Sequence, residues 1–352
     1  MPLHHYGVVK GRPLDHHRET DDDSPHYQIH LDAGGTGFRV PVNVKSSLAP
    51  SELVYHEAAV FIHPLTERLA QLVPGFHALP SRVGSGAVDY IRGNPFDLEK
   101  VIALPHDRPG LDNDLGDLLE SQLKRALADP RAMIYALGER WGPESQRDKI
   151  FGFAPGNGVH DIHMNQSNAA RFVRDDGVWQ DGALLIHHPD ENRWSALFLA
   201  FQSQALHTDD VSGHALPGSR RFADVVAEGG FGTVPPRPDE HGFNDGIVRI
   251  VGALVNPAGH DPGMESVTLL NLAPEPVALA GWQVANRNDD RFAIPDAVIG
   301  PGETLRITLP ADIAPLGNQG GEISLLDHQG ARVHGVAYTA AQVRRQGWTV
   351  SF

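Results

Sequence analysis

The chain has 352 residues, 41% of them apolar and 21% charged, so it folds like an ordinary globular protein and is long enough to need two domains. Cysteine is absent, which excludes disulfides, thiolate catalysis and cysteine-ligated zinc. A net charge of −15 counts against a nucleic-acid carrier, because non-specific binding depends on phosphate neutralisation by Lys and Arg. A nuclease whose phosphate contacts come from a bound cation and a few arginines stays open.

The opening Met-Pro-Leu-His-His-Tyr6 lacks the basic segment and apolar run of a signal peptide, and no apolar stretch approaches the length of a membrane helix. The expected location is cytoplasmic with no membrane span, although a chain exported by a dedicated machine would look the same. Charge and histidine are unevenly placed. Residues 1–245 hold 34 acids against 22 Lys and Arg, a balance of −12, and residues 246–352 hold 10 against 7, or −3. Seventeen of the 20 histidines precede residue 246, which points any histidine chemistry to the first part.

Tyr6–Lys10 reads as an apolar run and Arg18–Ser24 as a polar loop. His26–Leu31 alternates, with His26, Gln28 and His30 on one face and Tyr27, Ile29 and Leu31 on the other. Gly34–Gly37 turns the chain and Phe38–Val44 returns, so a hairpin is expected. Its polar face is either solvated or part of a site. Pro64–Val73 has helical spacing at Leu65, Leu69 and Leu72, and residues 74–88 read as loop. Arg92, beside Asp89 and Asn94, either holds an anion or pairs with Asp89. Asn113–Ala128 is the clearest helix, with Leu115, Leu118, Leu119, Leu123 and Leu127 on one stripe. Ala132–Gly138 follows as a buried strand that ends in a polar turn at 139–142.

The densest chemistry lies in Pro155-Gly-Asn-Gly-Val-His160-Asp-Ile-His163-Met-Asn-Gln-Ser-Asn168, read as a Gly-Asn-Gly turn that leads into polar residues. Histidines with carboxylate and carboxamide neighbours can bind a divalent metal or move a proton near neutral pH. In a helix or tight turn His160 and His163 share a face; in a strand they oppose each other. A polar loop tying down a buried turn is the alternative. Further on, strands Ala183–His187 and Trp194–Gln204 pair across the turn at 190–192. Gln202, Gln204 and His207 at the end of the second are placed either as site residues or as hairpin-end hydrogen bonders. Three prolines within 235–238 make a stiff spacer. Residues 1–228 are therefore one domain, 229–246 a Pro/Gly-rich linker and 247–352 a second domain. In the second, short alternating runs recur at 248–254, 265–271, 281–285, 303–309, 322–327 and 331–336, the pattern of an antiparallel β-sandwich.

Val255-Asn256-Pro257, the run from Asp261 to Leu269, Leu279-Ala-Gly-Trp282, Leu316-Gly-Asn318-Gln-Gly-Gly321 and Gly347-Trp348-Thr-Val-Ser-Phe352 resemble the lamin-tail domain. That likeness implies an all-β, immunoglobulin-like sandwich acting as an adaptor toward protein or nucleic acid. Trp282 and Trp348 are expected in its core. Asp261 and Glu265 either bind a cation or hydrogen-bond at the start of a strand. The first part is similar to the bacterial YukJ-like family, on Ser24-Pro-His-Tyr-Gln-Ile-His30, Val42-Asn-Val-Lys-Ser46, Asp89-Tyr-Ile-Arg-Gly-Asn94, Glu139-Arg-Trp-Gly142, Gly158-Val-His-Asp-Ile-His-Met-Asn-Gln166, Trp179-Gln-Asp-Gly182 and Ala200-Phe-Gln-Ser-Gln204. That likeness brings no activity with it.

The expected architecture is an α+β first domain, with a mostly antiparallel sheet and few helices, followed by the sandwich. The expected function is a metal-assisted hydrolase, with a phosphodiester as the first bond to try by analogy with hydrolases joined to lamin-tail domains. A divalent ion would rest on His30, His160 and His163. His160, Asp161, His163, Asn165 and Gln166 would do the chemistry, and Arg92, Gln202, Gln204 and His207 would hold a small or polymeric substrate. A metal-free histidine pair is a variant, and a non-catalytic binding or adaptor protein is the alternative.

Overall fold

The computed structural model describes residues 5–20, 25–44, 53–79, 102–104, 114–160, 182–201, 216, 219, 247–259, 263–328, 330 and 332–352. In the first part, ten strands form one sheet. They are β1 (Tyr6–Arg18), β2 (His26–Asp32), β3 (Gly37–Asn43), β4 (Leu53–Ala58), β5 (Gly75–Ala78), β6 (Ile102–Leu104), β7 (Met133–Glu144), β8 (Gly156–His160), β9 (Gly182–His188) and β10 (Arg193–Phe201). Their order is β5-β1-β2-β3-β8-β7-β9-β10-β4-β6. All neighbours are antiparallel except β3 and β8, which meet in parallel at Arg39 and Gly158.

β1 pairs with β2 through Arg12–Arg18 and also with β7 through Tyr6–Gly11. Strands β1, β2, β3, β8 and β7 therefore close on themselves, and β9, β10, β4 and β6 extend from the free part of β7. The alternation of β2 and β3 decides what lies inside this ring. Tyr27, Ile29, Leu31, Phe38, Val40 and Val42 are buried in one core cluster with Ile134, Ala136 and Val159. Helix α2 (Asp114–Ala128) adds Leu115, Leu119, Leu123 and Ala126 to that cluster. Each fully buried leucine stabilises the fold by roughly 1.5–3 kcal/mol in transfer terms.

A second cluster lies on the opposite face, where Tyr135, Leu137, Leu185 and Phe198 meet Leu65 and Leu69 of helix α1 (Pro64–Gln71). Lys10 reaches across to this helix and donates from Nζ to the carbonyls of Ala70 and Leu72 at 3.0 and 2.7 Å. Those carbonyls have no partner inside the helix, and a cation there also complements the helix dipole. His63 caps the other end: its Nδ1 accepts from the amide of Leu65 at 3.0 Å. α1 also touches the C-terminal part, where Arg68 and Glu322 pair at 3.5 Å.

The C-terminal strands are β11 (Val248–Leu254), β12 (Ser266–Asn271), β13 (Val277–Ala278), β14 (Gln283–Asn286), β15 (Arg291–Ala293), β16 (Val298–Ile299), β17 (Thr304–Thr308), β18 (Gly320–Leu326), β19 (Arg332–Thr339) and β20 (Val350–Ser351), with helix α3 (Ala340–Val343) after β19. They make two four-stranded antiparallel sheets, β17-β12-β11-β20 and β15-β14-β18-β19, and the pair β13-β16. One core joins both sheets, with Val248, Ile250, Leu269, Trp282, Ile323 and Leu325 inside, consistent with a β-sandwich. Overall the chain is mostly β with few helices and antiparallel sheets, as the alternation predicts. No helix among the described residues is long and apolar enough to cross a membrane.

Four local expectations need correction. β1 runs through Arg18, because its polar second half is a paired strand. Residues 75–78 form a strand that covers β1, within a segment expected to be loop. Gly156-Asn-Gly158 is strand: a Cβ at Gly158 would come within 2.2 Å of the Arg39 carbonyl oxygen, so glycine serves close packing there. Trp348 is 56% exposed, with the Arg345 guanidinium 3.7 Å above its ring, whereas Trp282 is buried as expected. Glu265 is buried and accepts from the Leu316 amide at 2.9 Å, the hydrogen-bonding alternative.

Candidate functional site

Register places the described candidates on the outside of the ring. His30 is opposite Arg39 across β2 and β3, and Arg39 is opposite Gly158 of β8. The backbone of His160, two residues further along β8, pairs with Glu139, and its side chain lies outside what the structure describes. His30 and Arg39 thus lie on one outer face, and β8 brings the His160 backbone alongside. Two strand spacings and two residues put the His30 and His160 backbones about 12 Å apart. Asp161, His163, Asn165, Gln166, Arg92, Gln202, Gln204 and His207 lie outside the described residues.

This face is covered by the segment between β7 and β8. Asp148 is its anchor: its Oδ1 accepts from the amides of Ile150 and Phe151 at 3.0 and 2.8 Å, and its Oδ2 from Arg39 Nε at 2.7 Å. Burial alone would raise the Asp148 pKa, but those two amides and the guanidinium outweigh it and hold the carboxyl below its ordinary value. Arg39 also donates to Gln28 Oε1 at 3.0 Å and lies 4.9 Å from the Trp141 ring. Gln28 Nε2 in turn donates to Glu19 Oε1 at 2.8 Å. Burial opposes ionisation of Glu19, yet His26 and Gln28 bring its pKa down to about 2.

The covering segment also places two phenyl rings on His30. Phe151 and Phe153 stack on the imidazole at centroid distances of 5.0 and 4.8 Å, within 17° and 9° of parallel. Burial lowers the His30 pKa against the pull of Asp15, Asp148 and Asp32. The polar face of β2 is therefore a connected network: Gln28 is 2% exposed, so the face is not simply solvated. Among the described residues no group of three or more His, Asp and Glu comes together as a metal site.

A second polar assembly lies between α2 and the sheet extension, and it includes residues that sequence reasoning missed. His188, at the end of β9, is 3% exposed and meets Asp129 Oδ2 through Nδ1 at 2.8 Å. On β10, Ser195 is 5% exposed and faces α2 opposite Ile186. Gln122 Nε2 donates to Glu57 Oε1 at 3.0 Å, and these groups border a cavity of about 190 Å³. The separation of 59 positions between Asp129 and His188 leaves no spacing signal. The expected strand Ala183–His187 stops one residue short of His188.

A family model described as "Uncharacterized conserved protein (DUF2278)" matches residues 1–213. Over 213 residues the chain is 44% identical to "Uncharacterized protein YukJ" of Bacillus subtilis (strain 168), a match that covers 60% of this chain and 93% of that protein. No solved structure matches. The matched region contains the closed ring, the covered outer face and the α2 cavity, and it ends before the C-terminal sheets. With well over half of its length matched, the chain belongs to the DUF2278 family.

Proposed function

We propose that the first domain is a hydrolase and that the C-terminal sheets are an immunoglobulin-like, lamin-tail-type module that delivers it to a target. A phosphodiester is the first bond to test. The observation that supports this reading is the shared outer face of His30 and Arg39, with the His160 backbone two residues past Gly158 on the adjoining strand. Arg39, fixed by Asp148 and Gln28, holds a pre-oriented guanidinium beside that face, with its charge balanced by Asp148. Burial keeps His30 toward its neutral, proton-accepting form. In the metal-assisted version, His160 and His163, with His30 or Asp161, would hold a divalent ion, which would lower the pKa of a bound water. Asn165, Gln166 and Gln204 then orient substrate oxygens.

The test is hydrolysis of bis(p-nitrophenyl) phosphate by chelator-treated protein, alone and after addition of Mg²⁺, Mn²⁺ or Zn²⁺. Turnover is expected with one of them, reduced about 10²–10⁴-fold in His160→Ala at unchanged melting temperature. No turnover under any of these conditions, at stoichiometric protein, overturns the hydrolase reading. The adaptor reading has its own support: two phenyl rings cover His30, and Arg39 already has three partners. Under it, His160→Ala lowers stability and leaves partner binding intact.

A further inference from the structure

The cavity between α2 and the sheet extension is separate from the outer face of the ring. Its floor is set by register. Glu57 of β4 is opposite Leu197 of β10, while Arg193, four residues before Leu197, is opposite His188 of β9. Four strand residues separate the Glu57 and Arg193 ends by about 13 Å along β10 at the backbone, with Ser195 between them. Both side chains reach inward, which shortens the gap between their charged groups. Helix α2 roofs the cavity in the same order: Gln122 bonds Glu57, Arg125 pairs with Glu191, and Asp129 follows at His188.

The two ends differ in charge. At the first, Gln122 occupies Oε1 of Glu57, which leaves Oε2 and the Gln122 carbonyl oxygen as acceptors, and no cation pairs with Glu57 among the described residues. At the second, the single carboxylate of Glu191 is shared by two guanidiniums, Arg125 and, at 3.9 Å, Arg193. Arg193 also donates to the Ala59 carbonyl at 3.2 Å, so only part of its fork is engaged. His188 has Nδ1 on Asp129, which leaves Nε2 as the nitrogen for a guest. The cavity therefore carries an acceptor-rich negative end at Glu57, a hydroxyl in the middle and, at the other end, the part-engaged Arg193 guanidinium, where Arg125 and Arg193 are balanced by Glu191 and Asp129. At ~30 Å³ per water it holds roughly six waters, the size of a short chain with a few heavy atoms.

We propose that this cavity binds a small zwitterion, an unbranched amino acid whose ammonium group meets Glu57 and Gln122 and whose carboxylate meets Arg193 and the Ser195 hydroxyl. A lone anion would gain the arginines but face Glu57, and a lone amine would gain Glu57 but face the arginines; only a guest with both charges matches both ends. The inference does not rest on the hydrolase reading.

Isothermal titration of the full chain with glycine, β-alanine and γ-aminobutyrate, against acetate and methylammonium, tests it. One of the three amino acids is expected to bind at least about tenfold more tightly than either control, because both charge-assisted contacts form together. Glu57→Gln and Arg193→Gln should each remove about that factor. Since the chain-length comparison uses the unaltered protein, it stands even if a variant folds poorly. Equal binding of all five compounds, binding of none, or an unchanged preference in a folded Glu57→Gln protein overturns the proposal.

Discussion

The closed ring with its extension and the C-terminal sheets use buried polar side chains in opposite ways. In the sandwich, polar groups are directed at nearby backbone. Asn271 donates to the carbonyls of Glu275, Ile299 and Gly300 and accepts from the Ala273 amide, and Asn286 likewise serves the turn at 288–290 and the Pro315 carbonyl. Those bonds fix loops and leave an apolar interior around Trp282. In the first domain, polar side chains are directed at one another across strands and helices, as in Glu19–Gln28–Arg39–Asp148, Asp129–His188 and Glu57–Gln122. The first arrangement makes a shape; the second arranges charge over a surface. That difference is the physical reason to look for chemistry in the first domain.

The contrast can be broken most forcefully at the sandwich core. Trp282→Ala should cost about 3–5 kcal/mol through the cavity it leaves. In urea, followed by circular dichroism and tryptophan fluorescence, the sandwich transition should move to lower denaturant while that of the first domain stays. Movement of both together would show that the two parts unfold as one unit.

A smaller effect is expected in the covered outer face. Asp148→Ala leaves Arg39 without its carboxylate and frees two amides, at a cost of about 3 kcal/mol. The folded-state pKa of Asp148 is depressed, so its stabilisation is complete above the unfolded value near ~3.9 and is lost as pH falls through the folded value. A fall in unfolding free energy below about pH 4 that is shallower in the variant than in the wild type is the expected readout. A variant as stable as wild type would mean that the covering segment is held by the phenyl stacking alone.

The smallest expected effect lies where helix α1 meets the C-terminal strands. His63 is 8% exposed; its Nδ1 accepts the Leu65 amide and its Nε2 has no partner. Burial lowers its pKa; Glu322 opposes that shift and Arg68 reinforces it. The unfolded chain therefore takes up the proton more readily. Stability linked to His63 is full above about pH 6.5 and declines below it, by up to about 1.4 kcal/mol per unit until the folded value is reached. Chemical unfolding at pH 7.5 and pH 5.5 should show this loss, and His63→Asn, which keeps a capping side chain, should remove it. An unaltered pH dependence in that variant would assign the loss to other groups.

Much of this architecture was legible wherever one side of a strand is buried and the other wet. β2, β3, β11, β12 and β17 follow their alternation, and the leucine stripe located α2. The second half of β1 was not legible, because only Pro13 of Arg12-Pro-Leu-Asp-His-His-Arg18 is buried and the rest is exposed or half-exposed. The glycines of β8 read as a turn although they are there to let Trp141 and the Arg39 backbone approach. For the site, His30 and His160 were legible as histidines, but the approach of their strands depends on a parallel contact between β3 and β8 that no local pattern encodes. Trp348 read as core because it is aromatic, and its guanidinium partner explains how it tolerates water.

Closure of the ring also sets an order of events during synthesis. Tyr6–Gly11 takes its partner on one edge from Ile134–Glu139, so one of the earliest strands to emerge must wait for β7 before that edge is occupied. Until then its amides and carbonyls are free to zip onto a neighbouring nascent chain. A ribosome-bound fragment stopped short of β7 should thus be the most aggregation-prone species in the life of this protein, and one released just past β8 the first that can shut the ring.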